Sequence, residues 1–468
     1  MTEITDRKQY DPKVQRTTLV VAMITNFINP FALTALNIAV PTIGKEFHIV
    51  ATHLTWIVLS FTFTTVLLTI PFGRIADIRG REPILKIGIL LVGVASACNI
   101  FAPNMALFFL LRALQGAGAA MVFATNVPIA IDAYPASRRG WVLGVTVAAV
   151  YLGGACGPVL GGLITHYFGW RGIFVLIAIL SGVAFSVAMI WLPRKEKLIP
   201  SQGLSPGSIV LFAISIGLVA YGLTTLMQNI WSYFILAAGA VFSVIFVRHE
   251  FRTKTPVIDV RLFRDNVNFS LSNIAALLNY AAIFAIAYLM SIYLQLVKGY
   301  GADVSGLILI CQPIVQAVVS PIAGKISDRR SPYAMASLGM TFCAVALVML
   351  AFIDTETSIY YMIGALLLAG FGFGVFSSPN TSVIMGSVDR KDYGMASSVS
   401  NTARTFGQVA CMAIITIIMN VVIGNRAIEN APISDIVLDM HISFLVVACI
   451  CVTGIFFSLR RKSDGVKK

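Results

Sequence analysis

Long apolar blocks alternate with short polar gaps along the whole 468-residue chain. About twenty consecutive apolar residues cross a bilayer as a helix. On that ruler the sequence predicts roughly fourteen spans, at 17–40, 53–73, 84–102, 105–131, 140–164, 170–192, 207–227, 230–247, 267–296, 303–323, 333–353, 358–386, 393–422 and 440–459. The fold class expected is therefore an all-α membrane protein. The long gaps at 193–206 and 248–266 bracket a closely spaced pair of blocks with little polar content beyond Tyr221, Thr224, Thr225 and Gln228. This predicts six spans in 1–192, an inserted pair with its flanking loops in 193–266, and six more spans in 267–468.

Charge sharpens the picture because it is unevenly shared between gaps. Arg7, Lys8, Lys13 and Arg16 precede the first block, and Lys45 stands alone after it. Arg74, Arg79, Arg81 and Lys86 fill the next gap, and the one around Pro103 is empty. The alternation continues through Arg138 and Arg139, through Arg194 to Lys197, through Arg248 to Arg264, through Lys325 to Arg330, and through Arg390 and Lys391 to the basic tail. Lys and Arg enrichment marks cytoplasmic loops, so both termini are expected in the cytoplasm of a multi-pass plasma-membrane protein.

Composition agrees, with 57% hydrophobic and 12% charged residues, against about 25% charged in soluble domains. The net charge of +13 is dispersed in loop clusters suited to anionic lipid headgroups, so no nucleic-acid partner is expected. The five Trp residues fall near block ends, as an interfacial belt would place them. The seven Cys lie inside apolar blocks without ligand-like spacing, so no metal site, disulfide framework or cofactor is expected. The polar first sixteen residues have no features of a cleaved leader.

Two stretches repeat one another. Gly73-Arg74-Ile75-Ala76-Asp77-Ile78-Arg79-Gly80-Arg81 follows the second span, and Gly324-Lys325-Ile326-Ser327-Asp328-Arg329-Arg330 follows the second span after the inserted pair. Such repetition argues for two related halves, a common build for secondary transporters. Further motifs are Leu111 to Gly118 with its internal Arg112, Gly153 to Gly162 around Pro158, Trp170-Arg171 with Phe174, and Arg248-His249-Glu250 followed by Pro256 and Asp259 to Phe263. Together, and in this order, these resemble the major facilitator superfamily, and within it the fourteen-span drug:proton antiporter group. The resemblance implies two six-helix halves around a midplane cavity, proton-linked export, and a small organic substrate. It also implies that Gly73, Asp77, Arg79, Gly80 and Arg81 form a gating latch, and that Gly153, Gly157, Pro158, Gly161 and Gly162 form an exporter element. One position departs from the group. Before Thr34, Asn37, Ala39 and Pro41, where the group usually carries an acid, this chain has Ala32.

Several residues carry candidate chemistry on their own terms. Gly153, Gly157 and Gly161 share a helix face and permit close packing, while Pro158 removes a backbone donor. Arg112 and Arg404 are the basic residues deep inside spans, where a charge costs about 3 kcal/mol or more and usually faces a cavity or partner. Gln115 lies one turn from Arg112, and Asn401, Arg404 and Gln408 share one face. Asn26, Asn29 and Asn37, and Gln312 with Gln316, form similar stripes. These residues are candidates for a coupling or substrate pathway, with interhelical hydrogen bonding as the alternative for each Asn and Gln. The acids nearest membrane depth are read as Asp77, Asp132 and Asp328, with none expected near mid-span. Asp132 is thus a rim candidate for proton coupling.

The function expected is secondary active transport by alternating access, as export of amphipathic organic compounds by a monomer. Buried Arg without buried acid predicts a preference for neutral or anionic substrates over dications. An importer or anion symporter, an uncoupled facilitator, and a non-transporting membrane sensor are the alternatives. No nucleophile-base set, metal spacing or P-loop motif points to an enzyme.

Overall fold

The computed structural model describes residues 12–134, 139–192, 205–226, 230–253, 256–258, 260–327, 331–388, 393–424 and 426–461. Among these residues, 14 helices are long and apolar enough to cross a membrane. They are α1 (Pro12–Glu46), α2 (Trp56–Arg79), α3 (Arg81–Asn99), α4 (Met105–Asp132), α5 (Arg139–Phe168), α6 (Arg171–Trp191), α7 (Pro206–Thr224) and α8 (Trp231–Arg252). The second series is α9 (Val267–Ile292), α10 in two pieces (Ala302–Leu309 and Cys311–Ser327), α11 (Pro332–Leu350), α12 (Ile359–Gly386), α13 (Tyr393–Val422) and α14 (Ile433–Leu459). With an even number of crossings, the chain enters α1 and leaves α14 on the same side. We call that side the terminal face and the other the far face.

Helix is the form these segments must take, because a bilayer offers no partner for free backbone groups. Short caps start several of them. Asn104, Ser205, Asn266, Ser331 and Ser358 each accept a hydrogen bond from a backbone amide three residues on. Between α2 and α3 the chain turns at Gly80 with φ of 102°, a conformation that disfavours any side chain.

The packing of the first six helices is repeated by the last six. Helix α1 lies on α5 and α6, α4 on α2 and α3, and α3 on α6. Each pairing recurs eight helices later: α9 on α13 and α14, α12 on α10 and α11, and α11 on α14. The closest approaches repeat as well. Gly88 of α3 meets Gly118 of α4, and Gly339 of α11 meets Gly372 of α12. Gly116 of α4 rests on the Phe61 carbonyl of α2, and Gly370 of α12 on the Gln312 carbonyl of α10. Any side chain at these positions would strike backbone, which is why glycine holds them.

The two bundles touch through α1 and α9, α2 and α13, and α5 and α10. Helix α7 rests against α2 and α13 at their seam, and α8 packs outside α7 with large apolar side chains such as Phe234 and Val241 exposed to the lipid side.

Two sequence readings need correction. Trp170 is not an interfacial belt residue. It is 1% exposed, donates from Nε1 to Glu46 at 2.6 Å, and sits among Phe47, Phe108 and Phe174. The last span begins earlier than residue 440. Helix α14 starts at Ile433, which places Asp439 inside it and fully buried. Asp439 thus joins Asp77, Asp132 and Asp328, the acids read from sequence, as an acid at membrane depth, two turns inside its helix and short of mid-span. The late start has its cause in the polar run Ser434-Asp435, which ended the apolar block too soon.

Candidate functional site

The contacts that join the bundles gather at the far face. Val50 bridges to Ala427, Ala51 donates its amide to the Arg426 carbonyl at 2.8 Å, and the Thr55 and Thr416 hydroxyls are 2.6 Å apart. From α9, Ser291 donates to the Asn37 carbonyl at 2.7 Å and Gln295 to the Ile38 carbonyl at 2.8 Å. His166 lies 3.4 Å from Asp303. Pro41 and Asn37 of α1, Gly162 of α5 and Ala302 of α10 all belong to this far-face zone, where α1 and α5 end and α10 begins.

The glycine element of α5 is built into both kinds of contact. Gly153 faces the Phe27 carbonyl, Gly157 faces Thr34, and Gly161 would bring a Cβ to 2.7 Å from Ala35, all on α1 within the same bundle. Gly162 faces the Ala302 carbonyl and the Pro158 carbonyl faces Gly306, both on α10 of the other bundle. The four-residue spacing thus fixes α1 to α5, and the neighbouring Pro158 and Gly162 fix the bundles to each other.

Arg112 is 0% exposed. Its guanidinium donates to Gln115 Oε1, its Nε to the Ile57 carbonyl at 3.4 Å, and it lies 4.7 Å from the centre of the Phe61 ring. Gln115 in turn donates to Ser96 at 2.9 Å, which donates to the Val92 carbonyl at 2.6 Å. This chain ties α2, α3 and α4 together inside the first bundle. A second knot lies beside it. Asn126 donates to Thr25 and Asn26 at 2.8 Å each, and Asn26 donates to the Thr146 carbonyl at 3.2 Å. Asn29 and Asn37 are buried on the same helix as Asn26, and Asn37 engages α9 through its backbone.

Arg404 is placed differently. It is half-buried, and its guanidinium stacks 4.3 Å from the centre of the Tyr280 ring on α9. Tyr280 also meets Phe373 edge-on at 4.9 Å, and Tyr151 of α5 approaches within electrostatic reach from the other bundle. That approach puts the Arg404–Tyr280 pair at the seam between bundles rather than against lipid. On the same helix Gln408 is half-buried and Asn401 exposed, while on α10 Gln312 is buried and Gln316 half-buried. Tyr280 and Tyr151 were not singled out from sequence, since a Tyr within a span reads equally as packing.

At the terminal face, Arg81 pairs with Asp132 at 3.0 Å, joining the gating loop to the end of α4. The rim carboxylate is therefore engaged by a motif arginine. A Cβ at Gly73 would lie 3.7 Å from that of Ala124, and Arg79 is exposed. The Asp77 side chain and residues 328–330 lie outside the described structure, so the repeated loop is seen on one side only. After α8, Glu250 accepts the amides of Val257 at 2.7 Å and Ile258 at 2.9 Å, which shows what the acid in that motif holds in place. Among the described residues no cluster of ligating side chains could hold a metal ion.

Two related bundles of six membrane-spanning helices, joined at one face and carrying polar side chains at their seam, define a membrane carrier fold. The chain belongs to the Major Facilitator Superfamily, whose family model matches residues 22–412 and 272–468. It is similar to the riboflavin transporter RibZ of Clostridioides difficile, 26% identical over 95% of this chain and 98% of that one. It is also similar to the methyl viologen resistance protein SmvA of Salmonella typhimurium, 26% identical over 86% and 82%. Among solved structures it matches a bacterial homologue of the human lysosomal transporter Spinster in an inward-facing, unoccupied conformation, with TM-score 0.69, 15% identity and 96% of each chain covered.

Proposed function

We propose that this transporter works by alternating access as a proton-linked exporter of amphipathic organic compounds. The terminal face is cytoplasmic on this reading, as the loop charges suggest. The observation that carries the proposal is the arrangement of the seam: bundle contacts gathered at the far face, with Arg404, Tyr280 and Tyr151 meeting between the bundles. A carrier closed on one side and holding recognition groups at its middle is one of the two states alternating access requires. Helices α7 and α8 form a peripheral insert between the halves, and the gating loop with Arg81 and Asp132 steadies the terminal rim.

In this reading Arg404, Gln408, Asn401, Gln316 and Tyr280 line the substrate path. Arg112 and Gln115 brace α2 against α4, and Asn26 with Asn29 braces α1. A half-exposed guanidinium stacked on an aromatic ring favours flat neutral or anionic molecules over permanent dications. The two relatives span that choice, since riboflavin is neutral and aromatic while methyl viologen is a dication. The Ala32 substitution, where the group usually carries an acid, supports the neutral end.

A thermal-shift panel of neutral, anionic and cationic amphiphiles, riboflavin and methyl viologen included, would select a ligand. Its flux in proteoliposomes would then be followed with and without an imposed pH gradient. Gradient-dependent movement of a neutral or anionic ligand is expected. Binding and gradient-dependent movement of methyl viologen alone would refute the charge preference, and flux indifferent to the gradient would refute proton linkage.

A further inference from the structure

Asp439 is 0% exposed on the core-facing stripe of α14, which also carries Ile436, Met440, Ser443, Phe444 and Val447. Among the described residues neither carboxylate oxygen has a hydrogen-bond partner, and no ion pair reaches it. Two hydroxyls beside it are equally unengaged: Tyr288 on α9, which is within electrostatic reach, and Ser443 one turn along α14. All three residues are 0% exposed. An ionised carboxylate so placed would lack water, cation and donor together, a cost of several kcal/mol in general. The carboxyl of this state is therefore the neutral acid.

The surroundings offer no substitute counter-charge. The titratable or charged groups described on elements packed against α14 are Tyr280 and Tyr288 on α9, Tyr333 and Cys343 on α11, Arg404 and Cys411 on α13, and Tyr293 in the turn beyond α9. Arg404 is engaged with Tyr280, Tyr293 donates to the Asp354 carbonyl at 2.6 Å, and Tyr288 is the one within electrostatic reach of Asp439. On α14 itself, Asp435 lies 3.8 Å from Arg426, His441 contacts the Ile353 carbonyl at 2.6 Å, and Cys451 lies three turns deeper.

What makes the site more than a packing oddity is the helix that covers it. Helix α9 presents Tyr288 toward Asp439. Three and seven residues later it presents Ser291 and Gln295 to the Asn37 and Ile38 carbonyls of the other bundle. The turn that continues α9, Tyr293–Val297, which carries Gln295, winds as a π-helix, a departure from α-geometry that recurs at functional positions. One short stretch thus closes the far face and seals the acid. Opening the far face must release Ser291 and Gln295. For water to reach the acid, α9 must then also shift on α14, its neighbour in the same bundle.

We propose that Asp439 is a proton-binding site that gates the far face: protonated, it permits closure, and ionised, it holds the face open. The proton comes from far-side water onto a carboxylate oxygen, giving the neutral acid before α9 seals. Return of the carrier to the terminal-open state then requires proton pick-up, and the proton leaves to the same far-side water when the face reopens, so the site gates closure without carrying a proton across. The inference rests on the alternating-access reading.

The test needs no substrate. Spin labels are placed at the exposed positions Lys45 and Thr355, one on each bundle at the far face, with Cys98, Cys156, Cys311 and Cys449 replaced. The label-to-label distance is measured by pulsed electron resonance as pH rises. In the otherwise native protein the ratio of long to short distances should climb by up to about tenfold per pH unit, the limit for one linked proton. Asp439→Asn, nearly isosteric with the neutral acid, should stay at the short distance throughout. Tyr288→Phe keeps the ring, and should keep the response while moving its midpoint to higher pH. It serves as the readout if Asp439→Asn yields no folded protein. An unaltered pH response in Asp439→Asn, or an unmoved midpoint in Tyr288→Phe, overturns the assignment while leaving alternating access intact. A single fixed distance at every pH, and with the thermal-shift ligand added, overturns both.

Discussion

The two bundles share one packing plan but place their buried charges differently. In the first, the position four residues before the α4 contact glycine Gly116 is Arg112, and its charge is met by Gln115, the Ile57 carbonyl and the Phe61 ring. In the second, the matching position before Gly370 is Leu366, fully buried, and the charged groups lie elsewhere. Arg404 is half-buried against Tyr280, Asp439 is sealed without a partner, and Arg461 at the end of α14 is buried but held by Ser272, Asn380 and Ser458. A charge with its partners in place resists change, whereas one left without partners responds to water and ligand. On the proposed reading, the first bundle is the brace and the second carries the chemistry.

Filling the first bundle's closest backbone contact should have the largest effect. Gly153→Val drives a branched side chain into the Phe27 backbone, where no rotamer can relieve it. Overpacking typically costs about 1–3 kcal/mol, and a backbone clash lies at the upper end, so folded yield by size-exclusion chromatography should collapse. Gly407→Val, against the Leu277 carbonyl in the second bundle, should do the same. If only one variant fails, the shared packing plan is not what the bundles depend on.

Arg404→Gln comes next. It should lower transport of a neutral or anionic ligand by on the order of tenfold, equivalent to about 1.4 kcal/mol, with the melting temperature unchanged. Comparable in size, but felt in stability rather than transport, is Arg112→Leu, which copies Leu366 but leaves Gln115 buried without its partner, a loss of about 1–3 kcal/mol. Adding Gln115→Leu should recover part of that loss in a double-mutant cycle. Smallest is Asp132→Asn at the terminal rim. A half-exposed ion pair contributes about 1 kcal/mol at most, so turnover should change by no more than about fivefold while ligand affinity holds.

Much of this was legible from residue order, and the rest failed for physical reasons. Period and apolar length located fourteen helices, and the spacing of Gly153, Gly157 and Gly161 announced a close helix contact that α1 supplies. The proximity of Arg112 to Gln115 was visible because it lies within one turn. The Arg81–Asp132 pair was not, since its members are 51 residues apart. Nor was the Tyr280–Arg404 stack, which depends on how α9 meets α13. Asp439 was missed for a different reason. An average over a window penalises the polar start of α14, although the stripe Ile436, Met440, Phe444 and Val447 runs through it and puts Asp439 on the buried side. Helical periodicity, carried past the hydropathy boundary, would have found it.

The division between brace and working bundle is tested most directly by measuring pH-gradient-driven flux of the thermal-shift ligand in two variants at equal folded protein. Arg112→Leu with Gln115→Leu should move ligand within about twofold of the unaltered protein once folded molecules are counted, because about 0.4 kcal/mol or less separates such rates. Arg404→Gln should lose about tenfold under the same conditions. The reverse ranking, with the Arg112 pair silent and Arg404→Gln near normal, would place the chemistry in the first bundle and contradict the account.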